Sequence, residues 1–274
     1  MSAISTAQSN AYNFSSFVQN SVDPRTGQYT LAIVLPELVG NDQMGPALTP
    51  RLGFNPMNQL DAGFGTGWGL NSSQYVPATN MLTMQTGETL KVTGSDMEDG
   101  TGLVFDERKM ESFHLHQEDA ENWRLEYKTG LVEFLQLKGP SDRRIALPVR
   151  IEAASGHWIT LDYEDFNETP CLTSIVDGNG VTLLKVHYDS GSVKFDLYPD
   201  VDSDTQPSAR YEIKLENRGS PTQRVPTQVL LPSGKGAGWT FDYYHIEYDE
   251  DLQQYMALLK EITTPSRTLR RTAS

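Results

Sequence analysis

Apolar and aromatic residues fall along the chain in short runs broken by single polar positions, and glycine, proline, asparagine or aspartate separates one run from the next. Two-residue alternation puts one side of such a run in a core and the other in water, the mark of a half-buried β-strand. On this pattern Tyr29 to Leu35, Trp123 to Tyr127, Leu131 to Leu137, Trp158 to Tyr163, Val181 to Tyr188, Ser192 to Leu197, Tyr211 to Leu215 and Trp239 to Tyr244 are predicted strands, rich in β-branched and aromatic side chains. Between them, Asp23-Pro24-Arg25-Thr26-Gly27, Lys128-Thr129-Gly130, Asp177-Gly178-Asn179-Gly180 and Ser190-Gly191 supply residues that tolerate positive φ, as hairpin turns require. Helical periodicity is scarce. The chain therefore reads as all-β, an antiparallel meander of hairpins.

The punctuation also suggests an organisation. Residues 1–20 form a polar, serine-rich segment, the β-sheet region is expected over 21–266, and 267–274 is a basic tail, with Arg267, Arg270 and Arg271, expected to fray. Residues 199–208 read as an exposed loop. Residues 45–75 are dense in glycine, proline and aromatics and read as an irregular packed element whose glycines are positional. An acid and a tyrosine recur side by side at Asp162-Tyr163, Tyr188-Asp189, Asp242-Tyr243 and Tyr248-Asp249. On a period-2 strand the tyrosine would face the core while the aspartate opens a turn, so each pair is expected to end a hairpin; unrelated hairpin ends in an acidic β protein are the alternative.

Bulk properties narrow the function. A chain of 274 residues, 38% hydrophobic and 21% charged, has the composition of a folded protein with a sizeable core. Its net charge of -14 repels phosphate backbones, which argues against nucleic-acid and anionic-membrane partners. The single cysteine, Cys171, excludes an internal disulfide framework and a thiolate zinc cluster. Met1 to Asn20 lacks the basic start and apolar stretch of a classical signal peptide, and no apolar run is long enough for a membrane-spanning helix. Cytoplasmic synthesis is expected, with any export or surface delivery left to a dedicated apparatus.

No chemistry stands out. His114 and His116 share a strand face, with Glu118 and Asp119 following, but two imidazoles without a firm third ligand read as a solvated face rather than a metal site. Asp200, Asp202 and Asp204 begin like a calcium loop, yet Thr205 stands where glycine is needed and Tyr211 where glutamate is needed, so a solvated acidic loop is expected. Leu231-Pro232-Ser233-Gly234-Lys235-Gly236 lacks the phosphate-loop spacing, Ser155-Gly156-His157 lacks a nucleophile elbow, and Cys171 reads as an inert buried thiol. No cofactor and no catalysis are expected; a carboxylate pair suited to glycoside hydrolysis is spatial and leaves no sequence mark. Trp68, Trp123, Trp158 and Trp239 support a second reading, a carbohydrate-binding β module whose exposed aromatic platforms stack on sugar rings. Buried tryptophans would instead mean a core.

The block Arg51-Leu52-Gly53-Phe54-Asn55-Pro56, followed by Gly63-Phe64-Gly65-Thr66-Gly67-Trp68-Gly69-Leu70-Asn71 and Ser73-Gln74-Tyr75, resembles the N-terminal region of RHS/YD-repeat proteins, which include toxin-complex C subunits and polymorphic toxins. Asn20 to Tyr29 is similar to the family's opening strand, and Thr86-Gly87-Glu88, Lys109 to Phe113, Lys128 to Glu133 and Gly156-His157 keep the family's order. The resemblance implies a β-sheet wound into a shell that encases a toxic C-terminal cargo, with Phe54, Gly65, Gly67, Trp68, Leu70 and Tyr75 as structural residues of its wall. Further repeats and a core that normally end the shell have no counterpart here. A truncated or split segment, open rather than closed, is therefore expected, with the remaining shell, a downstream toxin chain or another toxin-complex component as partner.

Overall fold

The structure is a computed structural model that describes residues 18–22, 29–56, 58, 60–95, 102–106, 112–199, 209–219, 222–232, 237–249, 254–264 and 267–270. Strands β1 (Val18–Val22), β2 (Tyr29–Val34), β3 (Leu38–Val39), β4 (Ala47–Leu48), β5 (Arg51–Phe54) and β6 (Trp68–Leu70) open the chain. Of these, β1-β2-β5-β6 form a small antiparallel sheet and β3 pairs with β4. The rest is one long meander. Its first half comprises β7 (Gln74–Val76), β8 (Met81–Thr83), β9 (Thr89–Ser95), β10 (Leu103–Phe105), β11 (Phe113–Gln117), β12 (Asn122–Tyr127), β13 (Val132–Lys138) and β14 (Ile145–Glu152). Its second half comprises β15 (Trp158–Phe166), β16 (Thr169–Asp177), β17 (Thr182–Tyr188), β18 (Ser192–Leu197), β19 (Ala209–Arg218), β20 (Gln223–Leu230), β21 (Gly238–Asp249), β22 (Gln254–Thr264) and β23 (Arg267–Arg270). The expected all-β meander is what the chain forms, and the sheet as a whole stays open.

The first half curls back until β14 meets β7 through Ala146 and Tyr75, while Gly102 bridges to His116 beside β10 and β11. Inward residues of this curl, among them Tyr75, Leu82, Phe113, Leu115, Trp123, Leu125 and Leu135, fill a smaller core. The larger core lies against the second half, where Ile151, Ile159, Leu161, Ile175, Phe195, Val229, Trp239 and Phe241 meet Leu31, Ile33, Leu52, Phe54, Phe64 and Trp68 from the N-terminal part.

Strand register reveals a repetition. In β13–β14 the pairing slips so that Phe134 faces Arg150 and Leu135 faces Pro148, leaving Val149 as an extra residue. The same slip leaves Thr173 extra in β15–β16, Thr227 in β19–β20 and Lys260 in β21–β22. The unit β13 to β16 thus recurs as β19 to β22: Leu135 corresponds to Leu215, Pro148 to Pro226, Ile151 to Val229, Ile159 to Trp239, and Asp162-Tyr163 to Asp242-Tyr243. A bulge bends and twists its strand, and four of them bend the meander around its apolar face.

Two expectations change here. Asp162-Tyr163 and Asp242-Tyr243 do not end hairpins; each pair straddles a bulge in mid-strand. The aspartate turns outward, where Asp162 accepts from Ser174 Oγ at 2.6 Å and Asp242 from Lys260 Nζ at 2.7 Å. Tyr188 and Tyr248-Asp249 do lie at strand ends. In the expected tail, Arg267–Arg270 pairs antiparallel with β22 as β23, Thr264 facing Arg267 and Glu261 facing Arg270. The Asp23 turn, most of the 199–208 loop and Ser233 to Gly236 lie outside the described residues.

The β20–β21 crossing allows no side chain at Gly238, since a Cβ there would sit on the carbonyl oxygen of Val229. Gly238→Ala is expected to lower unfolding free energy by about 1–3 kcal/mol through overpacking. Gly94→Ala, on β9 with nothing near its added carbon, should leave stability unchanged or raise it by about 0.4–1 kcal/mol. Denaturant unfolding of both variants tests the contrast.

Candidate functional site

The segment between β5 and β6 is a plug pressed into the larger core. Asp61 organises it: Oδ1 accepts the backbone N–H groups of Gly63 at 2.9 Å and Gly65 at 2.8 Å. Gly65 has φ +94°, and a Cβ there would lie 2.8 Å from the Pro226 ring; Gly67 has φ +82°, and its Cβ would lie 2.9 Å from the Phe54 ring. Both the backbone conformation and the close approach require glycine. The plug then inserts two aromatics. Phe64 stacks on Phe195 at 5.9 Å between centroids and meets Tyr188 edge-on. Trp68, 1% exposed, packs on Phe54 and Phe241 and donates its indole N–H to Tyr243 Oη at 3.1 Å.

Arg224 on β20 clamps the plug from outside. Nη1 donates to Asp61 Oδ2 at 2.6 Å, Nη2 to the carbonyls of Gly63 and Asp189 at 3.2 Å each, and Nε to Ser190 O at 3.0 Å. Its own carbonyl accepts from Thr66 N at 2.7 Å, and the guanidinium lies 5.3 Å over Phe166. A planar fork with fixed donors suits this many directed contacts, where an ammonium would not.

Beside the plug runs a groove of about 1040 Å³. Its walls mix Leu60, Leu70, Tyr163 and Leu172 with the amides of Asn55, Asn58, Asn71 and Gln74. Cys171 lines it, yet burial pushes its thiol up to about 11, and Sγ donates to Ala62 O at 3.3 Å, so it is held as thiol and poorly nucleophilic. A small chamber of about 30 Å³ shares Leu70, Asn71, Ser72, Tyr163 and Leu172 with the groove wall. Into it faces Glu133, 3% exposed, which the sequence reading did not single out. Tyr127 Oη donates to Glu133 Oε1 at 3.0 Å and lies 3.3 Å from Ser73 Oγ, while Oε2 has no partner. Burial holds this carboxyl above the ordinary glutamate range, against the hydrogen bonds of Ser73 and Tyr127.

The residues read from sequence fall as follows. Phe54, Gly65, Gly67 and Trp68 belong to the plug; Leu70 is half-buried at the groove and chamber; Tyr75 lies apart from them in the smaller core, 5.3 Å from Trp123. His114 and His116 share the outer face of β11 with ring centroids 6.3 Å apart. Glu126, 3.7 Å from His116, is also paired with Arg124. Among the described residues no group of three or more His, Cys, Asp or Glu is placed to hold a metal ion, and Asp200, Asp202 and Asp204 lie outside them. A second, polar pocket of about 520 Å³ gathers His187, Lys194 and Arg210 with Glu164, Asp165 and Asp189. Beside it, burial raises Asp196, but paired bonds from Arg210 at 2.6 and 2.8 Å outweigh that and hold its carboxyl low. Of the tryptophans in the sugar-platform reading, Trp68, Trp123 and Trp239 are core residues, and the half-buried Trp158 is capped by the Arg150 guanidinium at 4.5 Å.

Two consequences of the plug are measurable. Trp68→Ala should lower stability by about 3–5 kcal/mol, from lost transfer free energy and the cavity left; an unchanged melting temperature would refute it. Arg224→Ala should expose residues 61–67, giving chymotryptic cleavage after Phe64 under conditions where the wild type stays intact.

No family model matches the sequence, and no curated protein sequence does. Among solved structures, the fold is similar to the crystal structure of TcdB2-TccC3, with TM-score 0.53 and 12% identity over 82% of this chain and 17% of that one. It is also similar to TcdB2-TccC3 without its hypervariable C-terminal region, with TM-score 0.55 and 13% identity over 82% of this chain and 16% of that one. The likeness is one of fold, and the chain spans about a sixth of the length of those proteins. The resemblance drawn from the glycine-tryptophan block is thereby matched at the level of fold: the all-β, open meander of this chain is similar to TcdB2-TccC3.

Proposed function

We propose that this chain is a non-catalytic wall segment of an RHS-type toxin-complex shell, a casing for a C-terminal cargo or a partner chain. The observation that carries this reading is the repeating, bulged meander in a fold shared with TcdB2-TccC3. Such a sheet grows by adding hairpins, and each added strand needs only a backbone edge and an apolar inner row. β23 pairs with β22 on one side, and its other side is the edge at which the next strand of the remaining shell would add. The mechanism is mechanical: the wall encloses, and the plug keeps its curvature.

The test is light scattering coupled to size-exclusion chromatography on the purified chain, alone and with the product of the adjacent downstream reading frame. A stable complex whose formation protects the β22 and β23 amides from exchange is the expected outcome. A well-folded monomer indifferent to that partner would overturn the proposal.

A further inference from the structure

The two repeated units differ at one inward position. Glu133 on β13 faces Ile151, and its counterpart Ile213 on β19 faces Val229 in the same register. Ile213 is 2% exposed in the larger core, so an apolar side chain satisfies this place in the fold and a carboxyl is not required by it. Glu133 nevertheless stands there with one oxygen unpartnered, and leaving a buried polar atom unpaired costs stability. Its location is specific. Leu125, opposite it on β12, belongs to the smaller core, and Ile151, opposite it on β14, belongs to the larger one. Glu133 is therefore the residue on the seam between the two cores.

We propose that the Glu133 carboxyl is a proton-operated latch on this seam: neutral, it keeps the two cores joined; ionised, it draws water into the chamber and lets the seam part. The groups facing it are Tyr127 from β12, Ser73 ahead of β7, Tyr163 from β15 and Gln85 after β8. No arginine, lysine or histidine lines the chamber among the described residues, so no cation there offsets an ionised carboxylate. Oε1 accepts from Tyr127, which leaves Oε2 to carry the proton of the neutral form, and Glu133 lines a chamber with room for about one water molecule. Ionisation places a charge between Tyr127 and Tyr163, whose hydroxyls burial already holds in the neutral form, so hydration from the neighbouring groove is the available relief. The inference rests on the seam alone and holds whatever the wall surrounds.

The sign follows from linkage. A carboxyl whose folded value lies above its unfolded one contributes fully below the ordinary glutamate range of about 4.3, and that contribution is lost as pH rises to the folded value. Denaturant unfolding of the full chain across this window should show the wild-type folding constant falling, relative to Glu133→Gln, by about tenfold per pH unit. Amide exchange should quicken with pH at Leu125 and Ile151 beyond its intrinsic rise, but not at Ile213 and Val229, and Glu133→Ile, which copies the second unit, should abolish the difference. Parallel pH profiles for wild type and Glu133→Gln, or equal quickening in both units, would overturn the latch. Infrared titration of the unaltered chain gives a check that needs no variant: a protonated carboxyl band persisting above the ordinary glutamate range of about 4.3 is expected, and its absence would also overturn it.

Discussion

An open sheet with one apolar face must cover that face, and in this chain the cover is the segment folded between β5 and β6. Trp68 and Phe64 fill the space that the second half of the meander encloses. Their position depends on bonds that span most of the sequence: the Trp68 indole to Tyr243, and Asp61 to Arg224. These contacts link the start of the chain to β20 and β21, so neither part has its present core without the other. Loop-closure entropy for such distant partners is substantial, and buried aromatic area is the term large enough to offset it.

The second constraint is curvature. A flat meander would leave the plug too little surface to meet on its flanks. The recurring register slip bends β14, β16, β20 and β22, and Pro148 and Pro226 sit next to the extra residue in β14 and β20. Proline is tolerated there because the ladder is already interrupted. The aspartate-tyrosine pairs take the matching place on β15 and β21, tyrosine inward and carboxylate outward. Both features belong to the same device, a bulge with an apolar residue held inside it and a polar one released to solvent.

Much of this was legible in the residues, and the parts that were not have physical causes. Strands with clean alternation, such as Tyr29–Val34, Asn122–Tyr127 and Ser192–Leu197, appear where the pattern predicts them. Those containing proline, β14, β16 and β20, did not read as strands, because Pro148, Pro170 and Pro226 interrupt the signal; Pro148 and Pro226 adjoin bulges, and Pro170 is the second residue of its strand. The three-residue strands β7, β8 and β10 offer too few residues for a period to show. The glycine-tryptophan block announced a packed element through its composition, but nothing local to it names Arg224 as its clamp, since that partner comes from the far side of the sheet. Glu133 was hidden by parity. Residues 131–137 carry apolar side chains on both faces, so a lone acid reads as the solvent side; that Leu131, Leu135 and Leu137 share its parity was the signal that it points inward.

The two cores bear on how a wall segment can serve as casing. Each is filled by the chain's own side chains, the smaller by the curl of β7 to β14 and the larger by the plug. Both cores are filled from within this chain, so their stability does not depend on apolar surface supplied by another molecule. In the casing proposed above, contact with a cargo would fall to what the plug leaves uncovered, chiefly the groove with its amides and the half-buried Leu70 and Tyr163. Amides and isolated apolar side chains bind an extended polypeptide weakly and without strong sequence preference, because each contact contributes little and none is a charge that must be matched. Under that proposal weak, unselective contact would suit the wall, since a casing that held its cargo tightly would not release it.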